Sequence, residues 1–324
     1  MRNPLARSVA LLAGAALLAV AGLATAQTPR VGDINLYGLH KVTAARVLRA
    51  AKARAGDPIP PSKGDMVDAI SEIPDVVQAR VEAVCCEGPN VVLFLGIEER
   101  GAPHVAFRSD PAGDATLPEE VLGAWERFQS AGKATRESGI FPEQFTAFAE
   151  DHLEDLGQVL RTAAEPDQRA IAAALLGYAP PKQEVIDDLQ YALQDPDESV
   201  RDHALQALRS RAVLAVKQPK LGLRISPTWM IELLNSVVLS DRLQAADLLL
   251  TLTDTGDRTV LDQIRARALP ALVEMARWQT LRYALPPFLL VGRVAGLKEE
   301  EIQRRWSADQ RESVIAAALR SRRR

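Results

Sequence analysis

The residues best suited to metal binding or nucleophilic chemistry are four histidines, at positions 40, 104, 152 and 203, and two adjacent cysteines, Cys85 and Cys86. None of the histidines stands near a cysteine or in a His-x-x-x-His frame, so metal-ligand spacing is absent. No Gly-x-Ser-x-Gly, Walker or dinucleotide-binding motif occurs. Carboxylates cluster at Asp187-Asp188 and Glu299-Glu300-Glu301, but neighbours on a helix point apart, which makes these solvated faces rather than an acid–base pair. His203 sits between Arg201 and Ala204 on a repetitive helix and reads as a packed or solvent-edge residue. The expectation is therefore no catalytic residue, no metal site, no cofactor, and a chain that is not an enzyme.

The cysteine pair admits a vicinal disulfide, a bond to a partner, or two thiols. Strand alternation sends Cys85 inward and Cys86 outward, which argues against ring closure. Cys85 is then expected as a small core residue and Cys86 as an exposed thiol. Two groups of candidate binding residues remain. Arg80, Glu82 and Cys86 are expected to point outward from a sheet edge, where free N–H and C=O groups can accept an added strand. Lys217, Lys220 and Arg224 fall in a basic loop expected to project from the helical region. The terminal Arg320-Ser321-Arg322-Arg323-Arg324 is expected to be a solvated helix end, where cations are favoured.

The elements that carry these residues begin with an address. Residues 1–26 combine basic Arg2 and Arg7, an apolar run over 8–23 and Ala24-Thr25-Ala26, the layout of a signal peptide cut before Gln27. The apolar run is shorter than the roughly 20 residues of a spanning helix. Cleavage would remove two arginines and take the net charge from −3 to −5. The expected compartment is the periplasm or the exterior, with no membrane span after cleavage, although the basic segments admit peripheral contact with a membrane surface. The remaining composition, 47% hydrophobic and 25% charged, is that of a globular chain, and its balance of charge leaves no basic footprint for nucleic acid.

Residues 30–100 read as a small β-α-α-β-β module. Ile34 and Leu36 alternate with Asp33, Asn35 and Tyr37, the period of a half-buried strand. Helices follow over 42–54 and 62–73, the second with Met66, Ala69, Ile70 and Ile73 inward. Two strands come next, over 76–86 and 90–98, joined by Glu87-Gly88-Pro89. In the first, Val77, Ala79, Val81, Ala83 and Cys85 share a face; in the second, Val91, Leu93, Leu95 and Ile97 do. With its 33–42 stretch Asp-Ile-Asn-Leu-Tyr-Gly-Leu-His-Lys-Val, Arg54-Ala55-Gly56-Asp57, Ala79-Arg80-Val81, Val91-Val92-Leu93 and Glu98-Glu99, the segment resembles a POTRA domain. That resemblance implies an envelope module found on outer-membrane assembly and secretion proteins, with its middle-of-sequence strand at a sheet edge. The single copy, followed by helices rather than barrel strands, departs from the usual arrangement.

Residues 101–117 read as a linker, rich in proline and small residues, and 118–324 as a helical domain. Helices are expected near 118–131 and 142–163. Thereafter an Arg, a small or aliphatic residue three positions on, and a Leu four further recur as Arg169-Ala172-Leu176, Arg201-Ala204-Leu208, Arg242-Ala245-Leu249 and Arg282-Leu285-Leu289. Recurrence at this spacing indicates stacked helical pairs. Second helices are expected over 182–194, 227–236, 260–277 and 298–306, an extra loop over 211–226, a kink at Pro270, and an interruption at Pro286-Pro287. The 195–208 stretch Asp-Pro-Asp-Glu-Ser-Val-Arg-Asp-His-Ala-Leu-Gln-Ala-Leu closely resembles the first helix of a HEAT repeat, a likeness that extends over roughly 142–320. It implies an α-solenoid.

The fold class expected is thus mainly α, a HEAT-like solenoid behind a POTRA-like α/β module. The expected function is an exported interaction or scaffolding protein that binds another protein. A periplasmic enzyme or enzyme-associated lyase-like solenoid with a concave site, and a structural envelope spacer, are the alternatives.

Overall fold

The computed structural model describes residues 29–321, apart from 61, 88, 89, 137 and 138 and the side chains of 86, 87 and 321. The apolar leader with its cut site, the Gly88-Pro89 turn, the Cys86 side chain and residues 322–324 lie outside the described set.

The chain opens with β1 (Arg30–Tyr37), α1 (Ala44–Ala51), α2 (Lys63–Ser71), β2 (Val76–Glu87) and β3 (Asn90–Glu99). The sheet order is β1-β3-β2, with β1 parallel and β2 antiparallel to the central β3. Ser62 caps α2 by accepting the Asp65 N–H at 3.1 Å. Met66, Ile70 and Ile73 pack with Val47, Ala79, Val81, Val91, Leu93, Leu95 and Ile97 into a core on one face of the sheet.

The other face is buried too. Tyr37, Val92 and Phe94 belong to the core of the helical domain, and Asn35 is as buried as they are. The reading of Asn35 and Tyr37 as the solvent side of a half-buried strand is therefore corrected: Ile34 and Leu36 are the partly exposed ones. The continuous apolar run at 91–95 fits a strand covered on both sides. In β2, register shifts between Val76 and Gln78 and between Val84 and Glu87 interrupt the alternation. Val77 is consequently exposed, and so is Cys85, which is disulfide-bonded rather than a core thiol.

The helical domain begins with α3 (Glu119–Ser130) and the short α4 (Lys133–Arg136). The single helix expected over 142–163 is two, α5 (Ile140–Asp151) and α6 (Leu153–Thr162), broken at His152, whose φ of −118° and ψ of 27° leave the helical region. Then come α7 (Pro166–Leu176), α8 (Gln183–Ala192), α9 (Glu198–Lys217), a 3-10 turn (Pro219–Leu221), α10 (Thr228–Leu233), α11 (Leu239–Leu252), α12 (Arg258–Arg267) and α13 (Leu269–Ala276). The last three are α14 (Leu281–Val294), α15 (Glu299–Ser307) and α16 (Arg311–Ser321). Ala268 separates α12 from α13, which places Pro270 in the first turn of a new helix instead of at a kink. α14 runs unbroken through Pro286 and Pro287, contrary to the expected interruption. The expected loop at 211 is helix as far as Lys217.

Stacking is tied by buried arginines in the first turn of successive helices. Arg169 on α7 donates to both Asp195 oxygens at 2.8 and 2.9 Å, and to the Ala163 and Ala164 carbonyls. Arg201 on α9 repeats the arrangement with the Asp241 carboxylate and the Asp195 and Pro196 carbonyls. Each guanidinium thus satisfies carbonyls left open before its own helix while pairing with an acid from the next unit. Arg242 on α11 continues the series toward Glu274, 3.5 Å away. The fourth unit is one residue out of the expected register. Ala284 and Phe288 occupy the buried positions of Ala245 and Leu249, and Arg282 is exposed over the Tyr283 ring.

The 101–117 segment is a strap rather than a loose connection. The Arg108 N–H donates to the Gln194 carbonyl at 3.0 Å, and its guanidinium stacks on Tyr191. Phe107 lies under the Arg201 guanidinium at 3.9 Å. Farther along, the Gly113 N–H reaches the Thr162 carbonyl and the Leu117 N–H reaches the Gln168 side chain.

Candidate functional site

The α/β module and the helical domain meet through polar groups as well as the shared core. Asn35 donates to the Thr280 hydroxyl and accepts the Gln279 N–H, both at 2.9 Å. The Thr280 hydroxyl donates in turn to Asp33. Tyr37 donates to the Val237 carbonyl at 3.0 Å, and the Trp278 indole N–H to the Leu36 carbonyl at 3.1 Å. Phe94 meets Trp278 and Tyr283 edge to face, at 5.1 and 5.2 Å between centroids. Burial pushes the Tyr37 phenol far up, so it remains a neutral donor.

The turn after β1 supplies the most concentrated set of contacts. Gly38 takes φ of 81°, and its built Cβ position would fall against the Ile97 carbonyl, so only glycine fits. The N–H groups of Gly38 and Leu39 donate to Glu274 of α13. Those of His40, Lys41 and Val42 donate to Glu99 at the end of β3. Burial raises the Glu274 carboxyl, partly offset by the Arg242 charge and the two N–H donors. Burial likewise works to raise Glu99, but its three N–H donors outweigh that and hold it below the ordinary value. Arg242 is pushed down by burial, with Glu274 as its main opposing charge.

Beside this turn lies a cleft of about 680 Å³ between the module and α13. Its walls are mixed: Ile34, Leu39, Ile97 and Trp278 are among the apolar lining residues, Arg242, Arg267, Glu99 and Glu274 among the charged ones, and the lining residues Pro103, Pro270 and Arg277 are exposed. Such a concavity, apolar surface interspersed with fixed polar groups, suits an inserted side chain or an extended segment. These residues were not singled out from sequence. The one available signal was the unbroken apolar run of β3, which asks for a second covering layer.

The candidates read from sequence lie elsewhere and do not come together. β2 is one edge of the sheet, β1 the other. Arg80 does not project into open solvent: it pairs with Glu198 at the start of α9. Glu82 pairs with Lys63 of α2 at 3.6 Å. Lys217, Lys220 and Arg224 are exposed at the far end of α9 and in the segment after it. His203 is partly buried edge to face with Trp125 at 5.7 Å, and burial lowers its pKa, which favours the neutral ring. Among the described residues no group of three or more His, Cys, Asp or Glu side chains is placed to hold a metal ion. None of the described helices is long and apolar enough to cross a membrane.

No curated protein matches the chain. Residues 153–221, from α6 to the turn after α9, match the family model for HEAT repeats. Together with the stacked helical pairs and their buried Arg–Asp ties, that match supports HEAT-type repeats over this stretch of the chain.

Proposed function

We propose that this is an exported protein that works by holding another protein, seated in the cleft between the α/β module and α13. The observation that carries the reading is the sheet common to both cores: the two walls of the cleft are joined by buried hydrogen bonds and aromatic contacts, so the surface is formed before a partner arrives. HEAT repeats generally mediate protein–protein interaction or scaffolding, which agrees with a binding role rather than a catalytic one. Export is supported by the basic, apolar and small-residue segments of 1–26, and a disulfide-bonded Cys85 fits an oxidising compartment. The β-α-α-β-β order and central β3 support a POTRA-like module.

The test is crosslinking capture from the native envelope with the natural chain and with Pro103→Glu/Pro270→Glu, which puts charge at two exposed apolar positions of the cleft. The reading expects a specific protein on the natural chain that is lost from this variant. Equal capture by both overturns the cleft. An N-terminus still at Met1 in the native host overturns export.

A second reading rests on β2 being a sheet edge: strand addition there. Loss of the partner from Arg80→Pro, with the Pro103→Glu/Pro270→Glu variant unaffected, favours it.

A further inference from the structure

α7, α9 and α11 each carry their buried arginine at the fourth helical position, so the three helices start level. They do not end level. α9 has 20 residues where α7 has 11 and α11 has 14. At 1.5 Å per residue, its surplus over α11 is about 9 Å of helix, whose Val213, Val216 and Lys217 line a shallow concavity with Leu250 and Thr251 at the end of α11. Stable solenoid packing does not call for that surplus, and its residues are of an unusual kind. Val213, Val216 and, in the following turn, Leu221 are 37, 36 and 43% exposed. Lys217, Lys220 and Arg224 are interleaved with them and exposed.

The charge here runs against that of the chain. The protein as a whole has a net charge of −3, yet no Asp or Glu occurs anywhere from His203 to Ile231. Of the acids on neighbouring helices, Asp247 lies by Arg209 and Asp254 by Arg293, while the exposed Asp187 accepts the Gln183 side-chain N–H. None of Lys217, Lys220 and Arg224 is in an ion pair among the described residues. The tip is also held in shape. The Gln183 amide both accepts the Arg224 N–H at 2.8 Å and donates to the Arg224 carbonyl at 3.0 Å, and Gly222 turns the chain at φ 67°.

We propose that this tip docks on an anionic lipid surface, with Val213, Val216 and Leu221 entering the headgroup boundary and Lys217, Lys220 and Arg224 meeting lipid phosphates. Three separated, partly exposed aliphatic side chains offer a folded partner little area to bury, whereas a bilayer closes around them. Aliphatic side chains between cations with long stems suit the interface, where the stems lie in the apolar layer and the charges remain among the headgroups. The tip is separate from the cleft, so one chain can hold a partner and a membrane surface together.

The test is sedimentation of the mature chain, beginning at Gln27, with vesicles of phosphatidylcholine alone and with an equal part of phosphatidylglycerol. Three forms are compared: the natural mature chain, Lys217→Gln/Lys220→Gln/Arg224→Gln, and Val213→Ser/Val216→Ser/Leu221→Ser. Without the apolar 8–23 segment no form is carried to the vesicle by its leader, and melting curves establish that each variant is folded. The natural chain is expected to prefer the anionic vesicles. Neutralising the cations should cut that binding by roughly 100-fold, about fivefold per cation. The serine variant should weaken it and leave a residue that salt abolishes. Equal binding of the natural and neutralised chains to anionic vesicles overturns the proposal. So does a natural chain that ignores vesicles but binds polyglutamate, an outcome that assigns the tip to an acidic protein.

Discussion

Glu99 and Glu274 divide one turn between them: five consecutive backbone N–H groups, from Gly38 to Val42, donate to these two carboxylates, the first two to Glu274 and the next three to Glu99. One acid comes from the module itself and the other from the helical domain, so the turn is a clasp between units as well as a bend in the chain.

The clasp has a pH signature. Because its N–H donors hold Glu99 below the ordinary value of 4.5, ionised Glu99 stabilises the fold above that value, and the contribution disappears as the pH falls through the lower, folded-state value. Glu274, raised by burial, carries the opposite sign, favouring the fold as it takes up a proton. Melting temperatures measured down from neutral pH should therefore drop more steeply below 4.5 in the natural chain than in Glu99→Gln. At neutral pH that variant should lose about 1–3 kcal/mol, since an amide NH2 then faces a backbone donor.

The arginine ties predict an asymmetry between breaking and replacing a pair. Arg201→Ala strands the buried Asp241 carboxylate, to which the Ser236 hydroxyl still donates, and should cost about 3–5 kcal/mol in urea unfolding. Arg201→Met combined with Asp241→Leu removes both charges at similar volume and should recover most of that loss. Equal loss in the single and double variants would show that the carbonyl contacts of Arg201, not its acid, hold the helices.

Helix packing is tested at Ala204, which is fully buried where α9 meets its neighbours. Ala204→Leu should overpack the contact and cost about 1–3 kcal/mol. Gln206→Leu, two residues away on the exposed side, is the control and should change the melting temperature little. Equal shifts would mean that the helical register is wrong.

The shared sheet is tested by which distant helix responds. Phe94→Ala removes the ring that meets Trp278 and Tyr283, should cost about 3–5 kcal/mol, and should raise amide exchange in α13 and α14. Leu95→Ala, facing the opposite way, should loosen α1 and α2 first. Exchange confined to the sheet in both variants would show that the units are energetically separate.

Much of this architecture was legible from residue pattern, because helix stacking and strand alternation leave periodic marks. Arg169, Arg201 and Arg242 recur visibly, and the buried seam Ala172, Ala204 and Ala245 follows from them. The cleft was not legible for the opposite reason. Its builders, Asn35, Glu99, Glu274 and Trp278, are single residues far apart in sequence, and a polar side chain gives no local sign that its partner is across a domain boundary. Asn35 even looked solvent-facing, since alternation says which residues share a face but not which face is covered. Pro286 and Pro287 misled in another way: they remove two donors, yet the burial of Ala284, Phe288 and Val291 keeps α14 continuous around them.

The distance between the two halves of the sheet interface along the chain has a kinetic consequence. Asn35 and Thr280 are 245 positions apart, so the far side of the first strand is completed by helices synthesised long after it. Contacts of such separation form late, because a long loop must close before they repay its entropy. Until then Tyr37, Val92 and Phe94 remain an uncovered apolar face on an otherwise finished module. A chain truncated before α13 is therefore expected to assemble its first core and still aggregate.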